Sequence, residues 1–212
     1  MRVVDLTHAF NKSISIYPGG KPPVIEDAAT VEKDGAAEKH ISMYSHMGTH
    51  MDAPAHMIAN GRTLDDYSAS NFIGKALVID VSHLGKRIGF EDVLPFGPWL
   101  QDVKFVFFKT NWSKYWGKSE YLKDFPVLTK KAANWLCEQR VRGIGIDAIS
   151  IDSIDTKEYP VHKILLGCEM FIIENLTNLD QLPEKPFDVA CLPMKIENAD
   201  GAPTRVMAML ED

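Results

Sequence analysis

The chain has 212 residues, of which 45% are hydrophobic and 25% are charged, and its formal net charge is −6 at pH 7. This composition is typical of a globular protein that buries a sizeable core, and the negative charge argues against a nucleic-acid or anionic-membrane partner. No apolar run is long enough for a membrane helix, and no basic start followed by an apolar stretch indicates a signal peptide.

The first part of the chain is predicted to contain strands joined by a rigid loop. Arg2–Leu6 has the pattern of a first strand, and Tyr17–Pro23 is rich in turn residues. Two polar–apolar stretches, Val24–Glu32 and Lys39–Ser45, are expected to be strands that deliver the segment after them. Tyr17 either contacts a ligand as an exposed aromatic or pins the loop by packing.

The segment Ser45–Met57 concentrates residue types that bind metals. Its sequence is SHMGTHMDAPAHM. The candidate ligands His46, His50, Asp52 and His56 all have even numbers, so an extended backbone would point them to one face. Imidazole and carboxylate groups bind zinc, manganese or iron. We therefore predict a metal site here, and the alternative is a histidine-rich strand with surface imidazoles.

The spacing of these ligands requires a bend. On a straight strand His46 and His50 would lie about 13 Å apart, too far to share one ion. A helix would bring the two histidines together but would rotate Asp52 off their face. We predict a kinked strand in which Gly48 adopts a positive φ and leaves room for an ion, while Pro54 ends the strand pairing.

The rest of the chain alternates apolar strands with short helices. A helix that is followed at once by a strand favours a βαβ crossover, and we expect one α/β domain over residues 1–212, rich in strands and with few helices. The predicted strands are Ala76–Val81, Lys104–Phe108, Gly143–Asp147, Met170–Glu174, Phe187–Lys195 and Arg205–Leu210. The predicted helices are a short one capped by Thr63, Phe90–Leu94, Lys130–Arg140 capped by Thr129, and Val161–Leu166.

The three cysteines, Cys137, Cys168 and Cys191, are widely spaced and odd in number. None belongs to a Cys-x-x-Cys pair, so we expect small core residues rather than metal ligands. Reduced thiols fit this pattern better than a disulfide framework, and they indicate a cytoplasmic protein.

Two residues outside the histidine-rich segment are candidates for a second metal ion. His162 begins a predicted helix, and Glu174 ends a strand after four apolar residues. A carboxylate that closes a buried strand has to be paired or bound to a metal. The alternative is a surface histidine and a salt-bridged glutamate.

The segment His46–His56 resembles the H-x-G-T-H-x-D-x-P-x-H signature of the cyclase-like metal-dependent hydrolases, a family that includes bacterial kynurenine formamidase and isatin hydrolase. All seven fixed positions match. The loop Tyr17–Gly19 is similar to the family's aromatic-Pro-Gly loop, with tyrosine where its formamidases typically have tryptophan. Gly145–Asp155 and Pro193–Pro203 are similar to two later segments of the family. The resemblance implies a swivelling β/β/α fold, assembled as a homodimer or higher homo-oligomer.

The resemblance also implies a role for each matching residue. It assigns the first metal ion to His46, His50 and Asp52, the bridge to a second ion to Asp52 and Glu174, the completion of that site to His162, proton transfer to His56 and substrate contact to Tyr17. The implied cofactor is one or two divalent ions per subunit, zinc first and manganese second.

The implied activity is hydrolysis of an amide C–N bond by metal-activated water. The leading reaction is conversion of N-formylkynurenine to kynurenine and formate in tryptophan catabolism. Isatin or another cyclic amide is the alternative substrate. A non-catalytic protein that binds a metal or a small ligand is the alternative of another class.

Overall fold

The computed structural model describes residues 1–211, which form twelve strands and five short α-helices. The strands are β1 (Arg2–Asp5), β2 (Val24–Ala29), β3 (Glu38–Ser42), β4 (His50–Asp52), β5 (Ile73–Asp80), β6 (Arg87–Ile88), β7 (Phe105–Lys109), β8 (Val127–Leu128), β9 (Gly143–Ile146), β10 (Phe171–Glu174), β11 (Phe187–Pro193) and β12 (Gly201–Leu210). The helices are α1 (Val31–Asp34), α2 (Phe90–Val93), α3 (Gly97–Leu100), α4 (Lys130–Cys137) and α5 (Pro160–Gly167). No helix among the described residues has the length and apolarity to cross a membrane.

Seven of the strands close into a barrel. Their order is β12-β11-β5-β7-β9-β10-β4, and the first residues of β12 pair with β4 to complete the ring. The last residues of β12 pair with β1 on the same edge. The strands β5, β7, β9 and β10 are parallel neighbours. Helix α4 crosses between β7 and β9, as the order of elements in the sequence predicts. The predicted strand-rich α/β fold with few helices is confirmed.

Alternate residues of the barrel strands feed two hydrophobic cores. On β7, Phe105 and Phe107 belong to the core inside the barrel, whereas Val106 and Phe108 belong to a core on its outer face. Helices α4 and α5 cover the outer core, to which Leu136 contributes from α4. The outer face of the wall is therefore shielded wherever these helices pack.

Most predicted elements are present with shifted ends. Strand β5 begins at Ile73, three residues before the predicted start at Ala76. The Thr129 hydroxyl accepts a hydrogen bond from the Ala132 amide, which confirms the cap of α4. This helix ends at Cys137 instead of Arg140 because residues 138–142 carry the chain into β9.

Among residues 1–211, strands β2 and β3 pair with each other and with no other strand, as a hairpin outside the barrel. We call residues 24–42 the hairpin arm; nearly all of them are exposed, including Val24 and Ile41. The two predicted strands are present, and β3 ends at Ser42, shortly before the histidine-rich segment begins at Ser45. Residues 43–49 then lead from the arm to β4, which belongs to the barrel.

The expectation of reduced thiols is wrong for two of the three cysteines. Cys137, at the end of α4, and Cys168, just after α5, form a disulfide with a Cα–Cα distance of 5.9 Å. Their separation along the chain gives no sign of this pairing, because only the packing of α4 on α5 brings them together. Cys191 is a free thiol in the barrel core, and burial raises its pKa.

Candidate metal centre

The histidine-rich segment lies against the outer face of the barrel wall. In β4, Met51 points into the barrel core, so His50 and Asp52 share the opposite face. In the antiparallel register of β4 and β10, Glu174 stands opposite His50. The sheet thus places a buried acid from one strand beside two candidate ligands from the next.

The bend predicted at Gly48 is present. Gly48 has a φ of +66°, and regular pairing in β4 covers only the three residues His50–Asp52. Pro54 begins a 3₁₀ turn that ends at His56. The kink and the turn bring side chains from the two ends of the segment back to the same place.

The room for the site is not made by Gly48. A Cβ there would lie 3.1 Å from the Phe10 ring, so the prediction that this glycine opens space for an ion is wrong. Gly201 instead makes room for the His46 ring, because a Cβ at Gly201 would collide with that ring. The close approach of the His46 side chain to the start of β12 therefore requires a glycine at this position.

Helix α5 brings His162 to the site, and Asp152 fixes its orientation. The Asp152 carboxylate accepts hydrogen bonds from the amides of Val161 at 3.1 Å and His162 at 2.9 Å. It also lies 2.8 Å from His162 Nδ1. The other ring nitrogen, Nε2, therefore faces Glu174 and Asp52.

Asp52 and Glu174 each present one oxygen to each of two histidines. His50 Nε2 is 3.4 Å from Asp52 Oδ1 and 3.5 Å from Glu174 Oε2. His162 Nε2 is 3.7 Å from Asp52 Oδ2 and 3.2 Å from Glu174 Oε1. Ligand atoms that bind one ion at about 2 Å lie roughly 3–3.5 Å apart. Each histidine with its two oxygens therefore has the spacing of one metal site.

The Asp52 carboxylate provides the test of whether a metal fits. Asp52 is 1% exposed, and its buried Oδ2 has no hydrogen-bond partner among the described residues. Such an oxygen is costly to bury unless a cation compensates it. Nitrogen and carboxylate donors suit zinc, manganese or iron. The residues present therefore fit a divalent ion.

When no metal is bound, protonated histidines compensate the negative charge of the buried carboxylates. Burial disfavours the imidazolium of His162, but Asp152 and Glu174 raise its pKa to about 10. Against the same effect of burial, Asp52 and Asp200 raise the pKa of His46 to about 10. An ion that binds here has to displace these protons, so metal affinity should fall as the pH falls.

His46 lies between two carboxylates. Its Nδ1 is 2.7 Å from Asp52 Oδ1, and its Nε2 is 2.7 Å from Asp200 Oδ2. Asp200 also lies 3.4 Å from His56 Nδ1. The sequence places Asp200 in the Pro193–Pro203 segment but does not indicate that it reaches the site, because that depends on the pairing of β12 with β4.

His56 is close enough to be a ligand but has the properties of a proton acceptor. His46, Asp52 and His56 each offer a ligand atom within 4.8 Å of the others, as do His50, Asp52 and Glu174. Burial lowers the pKa of His56, and the positive charges of His46 and His162 act in the same direction, so its imidazole is neutral at pH 7. A neutral imidazole can take a proton from water.

These side chains border a cavity of about 330 Å³. Beyond the candidate ligands and His56, its wall consists of Tyr17, Met57, Ile149, Ser150 and Tyr159. The structure thus brings all the predicted site residues together, including Tyr17, which meets Tyr159 across the cavity. The volume and the largely apolar wall are typical of a small-molecule site.

Known proteins resemble the chain over nearly its whole length. A family profile described as "Putative cyclase" matches residues 4–153. Kynurenine formamidase from Bacillus cereus is 31% identical over 205 residues, which cover 96% of this chain and 95% of that protein. Isatin hydrolase A from Labrenzia aggregata has a TM-score of 0.88 at 29% identity and covers 100% of this chain and 94% of its own. A structure described as a potential metal-dependent hydrolase with cyclase activity has a TM-score of 0.82 at 30% identity, with coverages of 98% and 96%.

Proposed function

The chain belongs to the cyclase family, and from that premise we propose that it is a metal-dependent hydrolase of amide C–N bonds. The observation that carries the proposal is the unpartnered, buried Oδ2 of Asp52 beside a neutral His56. The buried Asp52 oxygen requires a cation to compensate its charge, and the neutral His56 is a proton acceptor beside it. The names of the relatives, a formamidase and an isatin hydrolase, denote hydrolysis of an open-chain and a cyclic amide.

Each metal site has its own histidines and shares two carboxylates. The first ion is assigned to His46, His50 and Asp52, and the second to His162. Asp52 and Glu174 would be shared by the two sites, since each presents one oxygen to His50 and the other to His162. Zinc is the leading metal and manganese the alternative, with one or two ions per subunit. A divalent ion bound there supplies Lewis-acid chemistry, which acidifies water and polarises a carbonyl group.

The protein's own groups move the proton. His56 takes a proton from water as the water attacks the amide carbon, and it returns that proton to the nitrogen as the C–N bond breaks. Asp200, 3.4 Å from His56 Nδ1, stabilises the imidazolium that forms in between. Asp152 keeps His162 turned towards the shared carboxylates throughout.

The leading substrate is N-formylkynurenine, which yields kynurenine and formate in tryptophan catabolism. A cavity of about 330 Å³ with aromatic and aliphatic walls accommodates one aryl amide. Tyr17 is the proposed contact to the aryl group. Isatin or a related cyclic amide is the second candidate, favoured by the TM-score of 0.88 with isatin hydrolase A.

We further propose one catalytic domain that assembles as a homodimer or higher oligomer. An isolated two-stranded hairpin is marginally stable in water, and within the described part of the chain the strands of the hairpin arm pair with no other strand.

A cytoplasmic location stays a prediction. The Cys137–Cys168 disulfide argues against it, because the cytosol keeps most thiols reduced.

Turnover with controlled metal content tests the proposed function. The purified protein is stripped with a chelator, reloaded with zinc or manganese, and assayed on N-formylkynurenine, formanilide and isatin. We expect hydrolysis that disappears with the chelator and returns with the metal. If every divalent ion binds and no amide class is hydrolysed, the protein is a metal-binding or ligand-binding module instead.

Two histidine variants separate metal binding from proton transfer. His50→Ala should lose metal and turnover together, because it removes a ligand. His56→Ala should keep the metal content and lose at least about a hundredfold in kcat, the usual contribution of a general base. Metal content measured by mass spectrometry decides between the two roles. Loss of metal in His56→Ala would make His56 a ligand.

A further inference from the structure

Asn175 follows the proposed ligand Glu174 directly and is buried in an uncommon backbone conformation. It is 1% exposed, and its φ of +60° lies in the left-handed region that residues other than glycine rarely adopt. A polar side chain buried to this extent has to find hydrogen-bond partners inside the protein. Those of Asn175 lead to the candidate metal centre.

The side-chain amide of Asn175 joins two buried groups, and each hydrogen bond has only one possible direction. Its Nδ2 lies 2.8 Å from the Gly48 carbonyl oxygen, which can only accept, so the NH₂ group of the amide donates to Gly48. The amide oxygen Oδ1 accepts from the Tyr121 hydroxyl at 2.9 Å, and Tyr121 is fully buried. Tyr121 therefore fixes the orientation of the amide, and the amide in turn holds the Gly48 carbonyl.

The same Gly48 carbonyl oxygen lies 2.9 Å from His50 Nδ1. Because this oxygen can only accept, a neutral His50 carries its proton on Nδ1 and leaves Nε2 unprotonated. Asn175 Nδ2, at 3.5 Å from His50 Nδ1, then faces a second donor and makes no hydrogen bond to it. Nε2 is the nitrogen that faces Asp52 and Glu174, and a histidine binds a metal through an unprotonated nitrogen. One backbone carbonyl thus sets the tautomer that the proposed metal site requires.

Asn175 holds the peptide unit between Gly48 and Thr49 from two sides. This unit lies before β4 begins at His50, so its carbonyl is outside the regular pairing of that strand. The Asn175 side chain donates to the Gly48 carbonyl, and the Asn175 backbone carbonyl accepts from the Thr49 hydroxyl at 2.6 Å. Without the amide, a peptide unit next to glycine is free to turn and to take its oxygen away from His50.

We propose that Asn175 and Tyr121 are positioning residues for the metal site. They hold the Gly48 carbonyl against His50 and so keep this histidine in the Nδ1–H tautomer, with Nε2 open to the ion. The inference rests on the role of His50 in the proposed function. Neither Asn175 nor Tyr121 lines the cavity of about 330 Å³, so we expect their effect on metal binding and not on contact with a substrate.

The tautomer of His50 can be measured without metal or substrate. Long-range proton–nitrogen correlation spectra of metal-free protein with isotope-labelled histidine distinguish the two tautomers, and His50→Gln identifies the His50 signals. Above about pH 8, where an ordinary imidazole carries one proton, we expect the Nδ1–H form in the unmodified protein. Asn175→Gly removes the amide and tolerates the left-handed backbone, so it should give a mixture of both tautomers. Tyr121→Phe removes only the hydroxyl and should give a smaller shift in the same direction.

Zinc affinity, measured by competition with a chromophoric chelator, tests the consequence of the tautomer. It should fall about 10- to 100-fold in Asn175→Gly, the usual effect of removing a group that orients a metal ligand. In Tyr121→Phe it should fall about three- to tenfold, as expected for one neutral hydrogen bond. A purely structural role would lower the free energy of unfolding and leave both the tautomer and the zinc affinity unchanged.

Asn178→Gly is the matched control. Asn178 lies three residues after Asn175, also has a left-handed backbone with a φ of +57°, and donates from Nδ2 to a backbone carbonyl at 2.8 Å. That carbonyl belongs to Asp5 in β1 and not to the histidine-rich segment. The control therefore loses the same kind of hydrogen bond and should keep the His50 tautomer and the zinc affinity of the unmodified protein.

The spectra separate this proposal from the proposed function. An Nε2–H tautomer in the unmodified protein would overturn the positioning role. So would an unchanged tautomer in Asn175→Gly and Tyr121→Phe, or zinc affinities no lower than that of Asn178→Gly. If zinc binds and both effects occur but no amide is hydrolysed, the positioning role stands and the proposed function is wrong.

Discussion

Asp152 determines the direction of one proposed ligand without lining the cavity. Its carboxylate accepts from two amides of α5 and lies against His162 Nδ1. In Asp152→Asn, an amide NH₂ group takes the place of one of the accepting oxygens and leaves His162 free to turn. We expect metal affinity to fall about 10- to 100-fold, and the free energy of unfolding to fall by about 1 kcal/mol through loss of the helix cap.

Metal content after dialysis measures the effect of Asp152→Asn on metal affinity. Urea unfolding of the metal-free protein measures its effect on the free energy of unfolding. Asp155→Asn is the control, since Asp155 lies three residues later in the same loop, is exposed and faces no ligand. Unchanged metal affinity in Asp152→Asn would show that His162 holds its orientation without this partner.

His8 makes the protein sensitive to acid. Burial lowers its pKa from 6.5 to about 4, and its ring stacks on Trp116 with centroids 4.2 Å apart. Between these two pH values the unfolded chain binds a proton that the folded chain excludes, so stability is lost as the pH falls from 6.5 towards 4. The loss is at most about 3 kcal/mol, and solvent screening reduces it because the ring is only partly buried.

His8→Phe keeps the stacked ring and removes the titration. The metal-free variant should therefore lose less stability than the unmodified protein between pH 7 and pH 5, as measured by urea unfolding at both values. His40→Gln, on the exposed hairpin arm, should retain the full pH dependence. An identical pH dependence in His8→Phe would show that His8 titrates normally in the folded protein.

Local spacing predicts some site residues, and tertiary pairing places the others. The even-numbered pattern from His46 to His56 is a property of one segment and can be read from the sequence. Asp200 lies 154 residues from His46 and reaches it only because β12 pairs with β4. Asp152 depends similarly on the turn before α5. Both carboxylates lie in segments that resemble the family, Gly145–Asp155 and Pro193–Pro203, but neither segment shows which histidine its carboxylate contacts.

Strands were easier to predict than the contacts between elements. The buried strands β5 and β7 are continuous apolar runs and therefore have a strong signal. The strands of the hairpin arm mix polar and apolar residues, a pattern that indicates a strand but does not show which strand it pairs with. The disulfide was missed for the same reason, since it depends on which face α4 turns to α5.

The Cys137–Cys168 disulfide joins the C-terminal ends of the two helices that cover the outer core. It closes a loop with a sequence separation of 31. A loop of this length restricts the unfolded chain enough to contribute about 3–4 kcal/mol. Cys137→Ser should lower the free energy of unfolding by this order, measured by urea denaturation without reductant.

Reductant provides the control for the disulfide prediction. A phosphine reductant should destabilise the unmodified protein by the same amount and leave Cys137→Ser unchanged. The third cysteine, Cys191, is free and buried, so it does not respond at equilibrium. Two reactive thiols at Cys137 and Cys168 in the native, unreduced protein would show that the bond does not form in solution.

At the scale of the whole molecule, closure of the barrel creates the site. The first residues of β12, Gly201–Pro203, pair with β4, while its last residues pair with β1. Strand β12 therefore pairs first with β4 and then with β1, and its pairing with β4 closes the barrel next to Asp52. A sequence pattern predicts that β12 is a strand but does not show that it has two successive partners on the same edge.

The hairpin arm lies outside the closed barrel and is exposed to solvent. Ile25 and Ile41 lie opposite each other on one face of the arm, and Ile41 is 53% exposed. A cavity of about 260 Å³ where the arm meets the barrel is lined by further apolar side chains, among them Phe10, Met43 and Met47. A second copy of the chain that contributes its own arm would cover both this face and this cavity.

Ile41→Asp should therefore weaken the proposed homo-oligomer. A carboxylate on this face cannot be buried against an apolar partner without a large desolvation cost. We expect the dissociation constant to rise at least tenfold, so that light scattering after gel filtration detects monomers at micromolar concentration. His40→Asp places the same charge on the opposite face of the same strand and should leave the mass unchanged. An unmodified protein that is monomeric, or an Ile41→Asp variant that assembles normally, would mean that the arm is stable alone and that copies associate elsewhere or not at all.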